Sequence, residues 1–320
     1  MKLLLLAALA FIVFRVLPGA GRRRKERDDA GDDGAPAAVP LQALERELRA
    51  AVYGDDAAEA AGLAARLLAE VAAPNARSLN AVVCAFVFAG RYAEALALAS
   101  RPAVRPEAIA DADARRDAQI VQINLAEAEY NLGRWEEAAA RLDTLGDPDA
   151  LEATVRGGVR LQRAWILAHL GEGDAAIALV GDDLFAEVPR GQHAEVHLVR
   201  AAGLLARGRH REAEAAAHAG IDVAARASSR RNGENLLGRI ALARGDAARA
   251  VEHFAEAAAH EYRGQGGPEL LAYGDALRDL GRGDAAARIW RLVVERDPQS
   301  AAAMEATGVS DRSSIIASPS

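Results

Sequence analysis

The chain has 320 residues, of which 51 % are apolar but only 4 % aromatic, and its formal net charge is −7. Apolar content drawn from Ala, Leu and Val favours closely packed helices over strands, which use more Thr, Ile and aromatic residues. The acidic balance argues against nucleic acid as a partner, because phosphate binding needs a basic face; the single cysteine, Cys84, excludes an intrachain disulfide.

Residues Leu3–Phe14 are uninterrupted apolar residues, and the run reaches Leu17 across Arg15 before Pro18-Gly19. A helix over this run spans roughly 22 Å against a bilayer core of about 30 Å, so a crossing draws on Lys2 and Ala20 with snorkelling ends. Two readings compete. A cleaved signal peptide would have Lys2 as its basic end, but Pro18 sits where a small residue is wanted, and Arg22-Arg23-Arg24-Lys25 would resist translocation. An uncleaved anchor over 1–20 suits the charge bias: Arg15, Arg22, Arg23, Arg24, Lys25 and Arg27 follow the segment and only Lys2 precedes it. The positive-inside rule then leaves the rest of the chain in the cytoplasm. Export, with the folded part binding envelope components, is the alternative. Residues 21–40 mix a basic cluster with Asp28, Asp29, Asp32 and Asp33 among Gly and Pro, and have no apolar period; they are expected to be a disordered linker.

From residue 41 the chain repeats itself. A glycine recurs at 54, 90, 133, 171, 208, 245 and 281, at intervals of 36, 43, 38, 37, 37 and 36 residues. Each stands between two amphipathic stretches of helical period, the signature of stacked helix hairpins. Seven residues before the glycine stand Ala126, Ala164, Ala201, Gly238 and Gly274; five after it stand Ala95, Ala138, Ala176, Ala213, Ala250 and Ala286. Tyr92 and Trp135 lie two after, and Leu142, Phe254 and Trp290 nine after; Asp297-Pro298 is a helix stop. This pattern resembles the tetratricopeptide repeat family. The resemblance implies an all-α fold, a right-handed superhelical solenoid of antiparallel helix hairpins with about seven repeats over 41–300. It also implies a concave face, lined by the first helix of each hairpin, that binds a partner polypeptide. The small residues before and after the glycine face each other where the two helices cross and set how closely the backbones approach.

The chain departs from the family in places. Its period exceeds the usual value of about 34 residues. The first unit has Glu47 and Glu59 at the small positions, and Arg163 and Arg200 stand eight before their glycines, where an apolar residue is usual. The 43-residue interval contains Arg101-Pro102 and Arg105-Pro106, which predicts a non-helical connection over about 101–116. Residues 301–320 are expected to form a disordered tail.

No glycine-rich nucleotide loop, nucleophile elbow or paired-cysteine motif is present, so no catalytic residue or cofactor is expected. His193 and His197 share a helix face with Glu195 between them, a spacing that holds a divalent metal when a third ligand joins. None is visible, and no metal is expected. The other histidines, His169 included, follow no pattern. Cys84 lies in the apolar run Ala81–Phe86 and reads as a small buried hydrophobe. Positions six, nine or ten before each glycine should face the concave side. They bring up Asn80, Cys84, Ile123, Asn124, Glu127, Gln162, Trp165, Asn235 and Arg239. Of these, Asn124, Gln162, Trp165, Asn235 and Arg239 are the candidate partner-binding residues. Amide side chains pair both N–H and C=O of an extended peptide, Arg239 suits a carboxylate, and Trp165 offers an apolar wall. The expected function is a membrane-tethered scaffold that holds another protein or a peptide segment; a metal-dependent hydrolase or enzyme accessory is the remoter alternative.

Overall fold

The computed structural model describes residues 41–53, 56–259 and 267–296. The expected anchor, linker and tail, the first glycine of the series (Gly54) and the stop at Asp297-Pro298 lie outside the described residues. Helices account for the fold, and no strand occurs among the described residues. In chain order they are α1 (Leu41–Tyr53), α2 (Ala57–Glu70), α3 (Ala76–Phe88), α4 (Tyr92–Leu96), α5 (Ala112–Asn131), α6 (Trp135–Asp143), α7 (Ala153–His169) and α8 (Gly173–Leu179). There follow α9 (Leu184–Glu187), α10 (His193–Ala206), α11 (His210–Val223), α12 (Ala227–Ala243), α13 (Ala247–Ala259), α14 (Gly267–Asp279) and α15 (Gly283–Arg296). They form seven hairpins, α1/α2 through α14/α15, with the short α9 as an extra turn after α8. No helix among the described residues is long and apolar enough to cross a membrane.

The periodic glycines close the first helix of each hairpin. Gly90, Gly133, Gly171, Gly208, Gly245 and Gly281 all have φ between 69° and 85°, a left-handed conformation that costs a side-chain-bearing residue about 1–2 kcal/mol. The residue after each glycine donates its N–H five residues back: Arg91 to Phe86, Arg134 to Glu129, Glu172 to Leu167, Arg209 to Leu204, Asp246 to Ala241 and Arg282 to Leu277, at 2.8–2.9 Å. This is the Schellman closure, repeated six times, and it explains why the glycine is kept at each period.

The small residues meet at the crossings. Ala126, Ala164, Ala201, Ala95, Ala138, Ala176, Ala213, Ala250 and Ala286 are all 0 % exposed. Where the first helix carries glycine, the second carries an aromatic ring in the vacated space: a Cβ on Gly238 would meet the Phe254 ring at 2.8 Å, and one on Gly274 would strike the Trp290 indole. The crossing volume is thus conserved by exchange between two positions 16 residues apart in sequence. In the first hairpin Glu47 and Glu59 are exposed, and Leu44, Leu48, Ala60 and Ala64 form the contact instead.

Arg163 and Arg200, out of place in the family pattern, reach back to the preceding hairpin. Arg163 Nη2 donates to Asp143 Oδ1 at 2.8 Å, beside the last carbonyls of α6, and Arg200 Nη2 donates to Val180 O at 2.8 Å, just past α8. A guanidinium there satisfies or neutralises the negative end of a helix. The long interval resolves differently from the expected connection. α4 has only five residues, Pro102–Val104 and Pro106–Ala108 form two 3₁₀ turns, and α5 already begins at Ala112, four residues before the predicted end of the loop. Asp111 starts it, its Oδ1 accepting from Ala114 N at 2.8 Å. The N-cap, rather than distance from the prolines, sets the start of this 20-residue helix.

Candidate functional site

The first helices of the hairpins line the inner face of the solenoid and enclose a cavity of about 240 Å³. Its wall runs from Val52 on α1 and Cys84 on α3, through α5, α7 and α10, to Asn235 on α12 and Glu269 on α14. Residues more than 200 apart in sequence therefore share one enclosure, so the solenoid is wound tightly enough for its early and late hairpins to face each other.

All five residues singled out from the helical phase, Asn124, Gln162, Trp165, Asn235 and Arg239, line this cavity. Cys84, Ile123 and Glu127, from the same reckoning, do so too. Asn124 is 6 % exposed and its Nδ2 donates to Asn80 Oδ1 at 3.2 Å, joining α5 to α3. Gln162 is 9 % exposed and Asn235 5 %. Trp165 stands 6.2 Å from Tyr130 and 6.3 Å from His169, ring centroid to ring centroid, and these three form an aromatic wall. Trp135 packs against His169 at 5.5 Å.

Arg239 is held by that wall. Its Nη1 lies 3.0 Å from His169 Nε2, and since a guanidinium only donates, Nε2 accepts and the ring proton sits on Nδ1. Nδ1 is 3.1 Å from Trp165 O and 2.9 Å from the Tyr130 hydroxyl. Burial, and then the Arg239 charge, lower the His169 pKa to about 3, so the imidazole is neutral throughout the physiological range. One guanidinium nitrogen of Arg239 is thereby committed, which fixes the orientation of the rest. Burial raises the Tyr130 hydroxyl well above its ordinary pKa, and it remains a neutral donor and acceptor.

Two carboxyls deepen the site. Burial, followed by the charge of Glu195, pushes Glu127 up to about 7, against the pull of Arg226 and Arg231 at the start of α12. Glu195 is also raised by burial, opposed by hydrogen bonds from Ser229 and Asn232. Across the cavity, burial raises the Cys84 thiol to about 12, with Glu127 adding to the effect, so this cysteine is an inert part of the wall.

Tyr130, Asn232 and Ser229 were not singled out in the sequence, and Glu195 and His169 were not assigned to the concave face. They sit two or three, thirteen, or sixteen residues before their glycines, which is the same helix face carried one more turn towards each end. Extending the phase would have found them. His193 and His197, the candidate metal pair, instead pack on the Phe185 ring at 5.0 and 5.1 Å, and His193 Nε2 contacts Phe185 O at 3.1 Å. Glu195 between them turns to the cavity. No group of three or more potential metal ligands gathers among the described residues.

Residues 119–144 match the tetratricopeptide repeat family model. They comprise the C-terminal part of α5 with α6, the hairpin that contributes Asn124, Glu127 and Tyr130. The chain is similar to a solved structure of the Rap conjugation gene regulator of the plasmid pLS20 in complex with the Phr* peptide, with 12 % identity and a TM-score of 0.46 over 81 % of this chain and 75 % of that one. Among curated proteins nothing matches. The segment 119–144 is thus similar to one tetratricopeptide repeat, and it lies within a solenoid of helix hairpins without strands among the described residues.

Proposed function

We propose that this protein is an interaction module that holds an extended polypeptide segment in the concave cavity. The observation that carries the reading is the convergence of Asn124, Gln162, Trp165, Asn235 and Arg239, from three well-separated helices, on a single enclosure. The lining suits a peptide backbone: amide groups that donate and accept, an aromatic wall, and an oriented guanidinium. The volume of about 240 Å³ suits a short extended stretch. An α-helix, about 10–12 Å across with its side chains, needs more room.

The module is tethered to the membrane in this reading. Support comes from the apolar run Leu3–Phe14 and the basic cluster Arg22–Arg27 behind it, which together favour an anchor with the hairpins on the cytoplasmic side.

The binding claim is tested by panning a library of random short linear peptides against the full-length chain, then measuring the best binder on the double variant Asn124→Ala with Asn235→Ala. Each lost hydrogen bond removes about 0.5–1.5 kcal/mol, so affinity should fall about tenfold or more with helix content unchanged. Unchanged affinity, or a library without a binder, defeats the concave-cavity reading.

A further inference from the structure

Three buried or half-buried carboxylates elsewhere in the solenoid, Glu129, Glu187 and Glu45, have guanidinium groups close by, whereas the buried Asp117 has no ion pair among the described residues. Glu129 accepts from Arg141 Nε at 2.8 Å and Nη2 at 2.5 Å. Glu187 pairs with Arg156 at 2.9 Å and Arg160 at 3.1 Å. Glu45 accepts from Ser78 Oγ at 2.7 Å and has Arg77 at 3.7 Å. Glu127, on the same helix as Glu129, faces the cavity and has no ion pair within 4.0 Å among the described residues. Two further polar groups in this wall lack partners. Gln162, 9 % exposed, makes no hydrogen bond among the described residues, and Gln192 Oε1 is buried without one. A carboxylate without an ion pair, an amide without a hydrogen bond and the buried, unpartnered Gln192 Oε1 line one enclosure and offer acceptors to N–H donors of a ligand.

We propose that the cavity contains a subsite for a cationic group of the bound segment, an ammonium or a guanidinium, received by Glu127 with Glu195 behind it and by the amide oxygens of Gln162 and Gln192. This rests on the reading of the cavity as a polypeptide site and names what that site selects. The charged side chains of the wall are Glu127, Glu195 and Glu269 with Arg226, Arg231 and Arg239, and one nitrogen of Arg239 is already committed to His169. Burial first, and then Glu127, raises the Cys84 thiol on α3, and burial followed by Glu269 raises the Tyr130 hydroxyl on α5, so carboxylates reach both groups. An anionic side chain placed against Glu127 would be repelled by its ionised carboxylate.

Titration of the full-length chain with N-acetyl-arginine amide, N-acetyl-lysine amide and N-acetyl-aspartate amide tests the subsite. The readout is the indole fluorescence assigned to Trp165 by comparison with Trp165→Phe. The two basic probes are expected to saturate the signal at millimolar concentration and the acidic probe is not. Glu127→Gln, nearly isosteric and still able to fold, should weaken the basic probes about tenfold or more. Binding of the basic probes to the unaltered chain should also weaken as pH falls from about 8 to about 6, because Glu127 takes up a proton over that range. Equal binding of the acidic probe, no effect of Glu127→Gln, or no saturable binding of either basic probe overturns the proposal. A library peptide that needs Asn124 and Asn235 yet tolerates Glu127→Gln removes this subsite and leaves the cavity reading standing; loss of dependence on the asparagines removes both.

Discussion

Glu127→Gln also carries a stability prediction of the opposite sign to its effect on binding. The Glu127 carboxyl has an ordinary pKa of 4.5 and a folded-state value of about 7. Each unit of difference is worth about 1.36 kcal/mol, so the gap corresponds to on the order of 3 kcal/mol. The sign follows from which state holds the proton. Between pH 4.5 and 7 the folded chain keeps Glu127 protonated while the unfolded chain has released it. The contribution to stability is therefore complete below about 4.5 and is lost as pH rises through about 7. Above that, the folded chain carries an ionised carboxylate that is poorly solvated and repelled by Glu195. The groups that face it are Cys84 from α3, Tyr130 from its own helix, Glu195 from α10, and Arg226 and Arg231 from the start of α12. Glutamine keeps the shape and removes the charge. Urea unfolding of the full-length chain and its variant, followed by helical circular dichroism, should give equal stabilities near pH 4.5. The variant should lead by on the order of 3 kcal/mol near pH 8. No gain at pH 8, or a gain that is the same at both pH values, would refute the burial argument. A variant that is more stable and binds a cation less well is the expected behaviour of a residue kept for its ligand.

The hairpin crossings make a second prediction. Gly238→Ala should destabilise the chain by about 1–3 kcal/mol through overpacking against Phe254, and Phe254→Leu in the same chain should relieve most of that loss, because Ala with Leu is the pair used by Ala126 and Leu142. A double-mutant cycle with no coupling between the two sites would show that the crossing volume is not shared. The tether makes a third: a reporter fused to the C-terminus should be active in the cytoplasm, and activity confined to the far side of the membrane, or a mature N-terminus near residue 21, would reverse the topology.

Local geometry made much of this protein legible from its sequence. A glycine at a helix end in left-handed conformation depends only on a few neighbouring residues, so the period of Gly90, Gly133, Gly171, Gly208, Gly245 and Gly281 marked the hairpins before any contact was known. The alanines at the crossings followed from the need for close backbone approach. The cavity-facing residues Asn124, Gln162, Trp165, Asn235 and Arg239 followed from the 3.6-residue phase counted back from each glycine. What sequence could not decide was anything that sums small rotations over several hairpins. The winding that sets Cys84 of α3 near Arg226 of α12, the bond from Arg239 to a histidine 70 positions away, and the burial of Glu127 against Glu195 all depend on how consecutive hairpins stack. The ionisation of Glu127 and His169 belongs to the same class: burial sets it, and burial is a property of the assembled wall rather than of the helix that bears the side chain.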